Sequence, residues 1–139
     1  MEASSRYLIF HGSVVLLFGL LCGAPYARAI KQNAPAHIVN SWRVAHLSLP
    51  VGATLMLAVA AVLGFLKVSP DTKWVLAGLL IVSSYSFCIS TPLAAITGHR
   101  GLSSDGKGMT KFVYLGNMVG AWTSLAAAVV LLYASFLSL

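Results

Sequence analysis

Long apolar runs separated by short polar segments dominate the chain, and each run is long enough to cross a membrane. A helix needs about 20 apolar residues to span a hydrocarbon core of roughly 30 Å, because every backbone polar group must be satisfied within the segment. Four runs without Lys, Arg, Asp or Glu in their interiors cover residues 7–24, 42–66, 74–96 and 112–137. The pattern predicts a single domain over residues 1–139, an all-α integral membrane bundle of four transmembrane helices.

Composition supports the same class. Of 139 residues, 58% are hydrophobic and 9% are charged, and the mean hydropathy is +0.86. A water-soluble domain has about 25% charged residues. We therefore expect a multi-pass protein of the inner or plasma membrane, in contact with the lipid bilayer.

The basic residues are distributed unevenly between the two sides of the predicted bundle. Six of the nine lie in or beside segments 24–41 and 97–111, whereas the opposite side carries Arg6, Lys67 and Lys73. The positive-inside rule places the two segments in the cytoplasm and both termini outside. The net charge of +6 belongs to this asymmetry, and the scattered basic residues do not predict nucleic-acid binding.

Small residues predict where the helices approach closely. Gly19 and Gly23 form a G-x-x-x-G pair in the first helix, and Gly116 and Gly120 form another in the fourth. Glycines and polar residues alternate in segment 97–111, which is typical of a loop that either covers an opening or is mobile, and mobility is favoured. Because four short helices enclose little volume, we also expect a homo-oligomer.

Polar side chains within the helices are the candidate site residues, since polar groups in lipid are costly and usually face a cavity or one another. His46 is predicted about one turn into the second helix, in the inner half of the bilayer. Tyr114 and Asn117 lie at a depth matching the polar run 83–91 of the third helix, so that these groups are expected to converge. His11 is predicted to lie about ten or more residues of helix rise from His46, which argues against two histidines on one cofactor.

Each candidate also has a simpler structural interpretation. A histidine near a helix end is often an interfacial side chain, and Asn117 can join neighbouring helices. Ser and Thr in membrane helices commonly donate to the carbonyl four residues earlier, so the polar run can simply support a bend before Pro92. The acidic residues Glu2, Asp71 and Asp105 lie outside the spans, which disfavours a proton-coupled pump or a multidrug exporter.

The chain resembles two families of small membrane isomerases. Three segments are similar to membrane-bound styrene oxide isomerase, namely His11-Gly12, Trp42-Arg43-Val44-Ala45-His46 and Arg100-Gly101-Leu102. Two segments are similar to hydroxylaminobenzene mutase, namely Ala45-His46-Leu47 and Leu93-Ala94-Ala95. The resemblance covers most of the chain.

The resemblance implies a ferric haem b held between the protomers of a homotrimer, with His46 as its single axial ligand. Trp42 and Arg43, in the same segment, are the other predicted cofactor-binding residues. Iron with one protein ligand keeps an open face that acts as a Lewis acid on an oxygen atom. The implied reaction rearranges a small lipophilic substrate, from an epoxide to a carbonyl compound or from an arylhydroxylamine to an aminophenol.

The chain departs from the isomerase pattern where the family positions its substrate. The family has Asn six residues after the ligand histidine, and its third helix has Asp and Tyr; the corresponding residues here are Gly52, Ser83 and Thr91. A different substrate is therefore expected. The predicted catalytic residues are Tyr85, Ser90, Thr91, Tyr114 and Asn117.

Two other classes of function stay open on the sequence. One is a membrane haem protein for electron transfer, gas binding or sensing, and the other is a membrane subunit without a cofactor. A bound haem would exclude the second class. An open coordination position would separate an isomerase from a six-coordinate electron carrier.

Overall fold

The computed structural model describes residues 1–104 and 107–139, and four helical spans account for most of them. Each span is long and apolar enough to cross a membrane. The prediction of an all-α protein with four transmembrane helices is thus confirmed for the described residues by helix length and composition. The spans are α1 (Ala3–Leu21) with α2 (Gly23–Lys31), α3 (Ala36–Val62) with a 3-10 turn (Leu63–Phe65), α4 (Pro70–Thr97) and α5 (Met109–Phe136).

The helices are longer than predicted, above all around the first connection. Most of the predicted loop 24–41 belongs to α2 and to the first turns of α3, and residues 32–35 connect the two. The prediction followed hydropathy, but polar side chains do not end a helix in the headgroup region, where the backbone still pairs best within the helix. His46 lies ten residues after Ala36, roughly 15 Å along the axis, so the prediction of one turn is wrong.

The core lies between α1, α3 and α4, and α5 packs mainly along α4. Buried residues on α5 recur every seven positions, at Val113, Gly120, Ala127 and Ala134. One narrow stripe of α5 therefore faces the bundle. The rest of its surface is left for lipid or for another protomer.

Both termini meet the α3–α4 connection at one end of the bundle. Lys73 Nζ donates to Glu2 Oε1 at 2.7 Å, and the backbone N–H of Lys67 donates to Ser138 Oγ at 2.8 Å. Residues 32–35 and the α4–α5 loop lie at the other end. The predicted division of the loops between the two ends is confirmed, while their orientation in a membrane stays a prediction.

The first part of the α4–α5 loop folds onto α5. Gly98 is left-handed, with φ of 71°, and ends α4. Gly101 is buried with φ of 61°, and a Cβ atom there would lie 2.6 Å from Cγ1 of Val113. Gly101 thus packs the described start of the loop against α5, and whether the loop covers an opening or is mobile stays a prediction. Asp105 and Gly106, which the predicted loop includes, lie outside the described residues.

Candidate functional site

His46 is held in one orientation by the backbone of α1. Its Nδ1 lies 3.0 Å from the carbonyl oxygen of Gly19. Because a carbonyl oxygen only accepts hydrogen bonds, Nδ1 is the donor, and in the neutral ring the lone pair is then on Nε2. Within residues 1–104 and 107–139, the ring makes no hydrogen bond through Nε2. Histidines that bind metals show this arrangement, in which one nitrogen is fixed and the other is available.

Two glycines in the first span make this contact possible. A Cβ atom at Gly19 would lie 2.5 Å from Cδ of Pro50, and one at Gly23 would lie 2.9 Å from Cε1 of His46. A larger residue at Gly19 would push α1 and α3 apart, and one at Gly23 would displace the His46 ring. The close approach predicted for this G-x-x-x-G pair is confirmed. At Gly23 the group in close contact is the imidazole ring of His46.

Aromatic and charged residues lie near His46. The ring of Tyr26 lies 6.1 Å from the His46 ring between centroids, and Trp42, one turn earlier on α3, packs against the core. Arg43 is exposed on the adjoining face of α3, and His46 itself is half-buried. The imidazole therefore has the Tyr26 ring beside it and remains partly open within one protomer.

A second histidine lies apart from the first. His11 Nδ1 is 2.9 Å from the hydroxyl of Tyr85. Gly19, which bonds His46, is eight residues further along α1, roughly 12 Å along the axis. The predicted separation of His11 and His46 is confirmed, and Tyr85 lies with His11 rather than with His46.

The residues expected to converge are only partly brought together. A cavity of about 370 Å³ opens between α3, α4, α5 and the loop after α4. Three predicted site residues line it, namely Arg43, Thr91 and Asn117, whereas His46 does not. The other lining residues are Asn40, Ser41, Val44, Ala94, Arg100 and Leu102.

Most polar side chains on α4 and α5 donate hydrogen bonds to nearby backbone carbonyls. Thr91 Oγ1 donates to the carbonyl of Phe87 at 2.8 Å, and Ser86 Oγ likewise donates to the carbonyl four residues earlier. Asn117 Nδ2 donates to the carbonyl of Arg100 at 3.0 Å. The simpler interpretation of the polar run is confirmed at Ser86 and Thr91, while Asn117 joins α5 to the loop rather than to another helix.

Ser90 and Tyr114 lie outside the wall of this cavity. Ser90 is fully buried, and its Oγ has no hydrogen-bond partner among the described residues. It packs against α5, where a Cβ atom at Gly116 would lie 2.8 Å from Ser90 Cβ. Tyr114 is half-buried beside Gly101. Of the predicted catalytic residues, Ser90 thus has a buried hydroxyl that local structure does not use.

Two positions that differ from the isomerase pattern have contrasting surroundings. A Cβ atom at Gly52 would meet nothing within 4 Å. Ser83 is buried, and its Oγ donates to the carbonyl of Gly120 at 2.8 Å. Gly52 therefore leaves space where the family has an amide, and Ser83 joins α4 to α5.

Sequence reasoning missed three groups that shape these sites. The Gly19 carbonyl that orients His46 is a backbone atom, and no side-chain pattern marks it. Asn40 and Arg100 lie in the cavity wall, although the sequence placed both in loops. The glycines on either side of Arg100 were the available signal, because two sharp backbone turns hold a residue against a neighbouring helix.

Comparisons with known proteins agree with the resemblance. A search of curated proteins finds no match to this chain. The family model described as styrene oxide isomerase matches residues 4–136, nearly the whole chain. The chain therefore belongs to the styrene oxide isomerase family.

Proposed function

We propose that this protein is a membrane isomerase that binds ferric haem b through His46 and rearranges a small lipophilic substrate. Its family suggests isomerase activity. The observation that carries the cofactor assignment is the hydrogen bond from His46 Nδ1 to the Gly19 carbonyl, which leaves Nε2 available to a metal.

The residues around His46 fit a haem. The described part of the chain contains no group of three or more His, Cys, Asp or Glu side chains able to hold a metal ion. A single imidazole suits a haem, because the porphyrin supplies the equatorial ligands. Tyr26 flanks the ring, and Trp42 and Arg43 remain the other predicted cofactor contacts.

The proposed chemistry is an intramolecular rearrangement in a dry site. When bound, haem with one protein ligand supplies a Lewis acid toward a substrate oxygen. Substrate and product contain the same atoms, so no external oxidant or reductant is needed. The Gly19 carbonyl keeps the proton on Nδ1 of His46, and the apolar helices exclude water that would otherwise hydrolyse an epoxide.

The substrate-positioning residues remain predictions. The hydroxyls of Tyr85 and Thr91 are already hydrogen-bonded, whereas Ser90 Oγ is not. The open space at Gly52 admits a substrate of a different shape from one held by the family's Asn. We therefore propose an epoxide or an arylhydroxylamine other than the family's usual substrate.

A homotrimer is part of the proposal. His46 is half-buried and does not line the cavity of its own protomer. A second copy would cover its open side. Most of the apolar surface of α5 is not buried within the protomer and could form such a contact. Native mass spectrometry of the detergent-purified protein should show three chains with haem; monomers that retain haem would contradict the shared site.

Absorption spectra of the detergent-purified protein, expressed with added haemin, test the cofactor. The wild type should show a Soret band, His46→Ala should lose or shift it, and the matched control His99→Ala, an exposed histidine, should keep it. Turnover of styrene oxide analogues and arylhydroxylamines is then measured on the same samples. A wild type without a Soret band would refute the haem, and a six-coordinate spectrum would favour an electron carrier.

A further inference from the structure

The cavity between α3, α4 and α5 carries positive charge. Arg43 and Arg100 both line it, and none of the described lining residues is acidic. Both arginines are exposed. Within the described residues, the ion pair formed is that of Lys73 with Glu2, at the opposite end of the bundle. The cavity therefore presents two cations to a ligand.

Arg100 is held in place on the cavity wall. Its carbonyl accepts a hydrogen bond from Asn117 Nδ2 at 3.0 Å. The backbone is anchored on both sides, by the left-handed Gly98 that ends α4 and by Gly101 packed against α5. A residue fixed in this way loses less conformational freedom when it binds a ligand.

A shallow apolar groove, lined among the described residues by α3 alone, continues from the cavity along the exposed face of this helix. It measures about 340 Å³ and shares Arg43 and Val44 with the cavity. It then follows Leu47, Ser48 and Val51, eight residues from Arg43 and roughly 12 Å along the helix. The hydroxyl of Ser48 donates to the carbonyl of Val44 at 2.6 Å, so that it presents no free donor to an apolar chain.

We propose that this cavity and groove bind an anionic phospholipid, with its phosphate between Arg43 and Arg100 and one acyl chain along Leu47 and Val51. Guanidinium groups match phosphate oxygens in charge and in fork geometry. Basic pockets between transmembrane helices attract anionic headgroups on the cytoplasmic side, where the distribution of Lys and Arg places this end of the bundle. The proposal does not depend on the isomerisation, and it assigns Arg43, otherwise a predicted cofactor contact, to the phosphate.

Native mass spectrometry with equal amounts of phosphatidylglycerol and phosphatidylcholine tests this site. The wild type should bind phosphatidylglycerol preferentially, and Arg100→Gln should lower that preference about fivefold, the contribution expected of one arginine near an anionic surface. Arg100→Lys should keep most of it. Arg28→Gln is the matched control, because Arg28 is exposed at the same end but does not line the cavity.

The groove is tested separately by Leu47→Trp, which fills it from an exposed position and so leaves the core unchanged. This variant should bind phosphatidylglycerol more weakly while keeping the wild-type helical content. Equal lipid preference in the wild type and Arg100→Gln would overturn the proposal. Displacement of the lipid by inorganic phosphate would also overturn it, since the cavity would then be an anion site without a role for the groove.

Discussion

The first and fourth spans carry the same G-x-x-x-G spacing, but they receive different groups. In the first span, Gly19 is packed against Pro50, and Gly23 is packed against the ring of His46. The Gly19 carbonyl also binds the same ring through Nδ1. The glycine pair therefore positions and orients an imidazole whose Nε2 makes no hydrogen bond to the described residues.

In the fourth span the glycines serve packing. Gly116 receives Ser90, and Gly120 receives the ring of Phe87. The carbonyl of Gly120 accepts a hydrogen bond from Ser83. Glycine spacing thus sets how closely two helices approach. The residue on the opposing helix decides whether the contact contains a group that can bind a ligand.

The largest effect expected on stability is that of Gly19→Ala. The new methyl group would lie 2.5 Å from the rigid Pro50 ring, so that α1 and α3 must separate at a cost of about 1–3 kcal/mol. Thermal unfolding in detergent measures this cost. Gly78→Ala is the control, because a Cβ atom there meets nothing within 4 Å; equal unfolding midpoints for the two variants would contradict the close contact.

Gly23→Ala should affect the proposed haem more than the fold. The new Cβ atom would lie 2.9 Å from Cε1 of His46, so that the ring must move away from its orientation. Haem affinity should fall about tenfold, as for other changes that disturb the support of a metal-binding histidine. Titration with haemin, followed at the Soret band, measures it, with Gly52→Ala as control; unchanged affinity would mean that the ring orientation does not matter.

Ser83→Ala tests the polar contact of the fourth span. It removes the donor to the buried Gly120 carbonyl, and the loss should destabilise the fold by about 1 kcal/mol. Ser13→Ala, which changes an exposed serine bonded within its own helix, is the control. If both variants unfold at the wild-type temperature, the α4–α5 contact does not depend on this bond.

The smallest change in stability is expected for Ser90→Ala. Because Ser90 Oγ has no partner among the described residues, its removal leaves none of them unpaired, and stability should stay within about 0.5 kcal/mol of the wild type. Isomerase turnover measured on the same sample separates two roles. A loss of turnover at unchanged stability would make Ser90 a catalytic residue, whereas unchanged turnover would leave it as packing.

The departures from expectation have two causes, one in where helices end and one in which way side chains face. Hydropathy located the spans but placed the start of the second at residue 42, whereas α3 begins at Ala36. Tyr85 and Thr91 belong to one polar run, yet Tyr85 contacts His11 and Thr91 lines the cavity. Six residues along a helix turn a side chain to another face, so that sequence proximity does not predict which groups meet.

The sequence by itself determined the features that depend on local composition. These are the four spans, the ends at which the loops lie, the close approach at the glycines and the separation of His11 from His46. The tertiary structure alone decided that the Gly19 carbonyl fixes the tautomer of His46 and that Arg43 and Arg100 share a cavity. Such contacts depend on the rotation and register of one helix against another, which packing along the whole chain sets and no local pattern records.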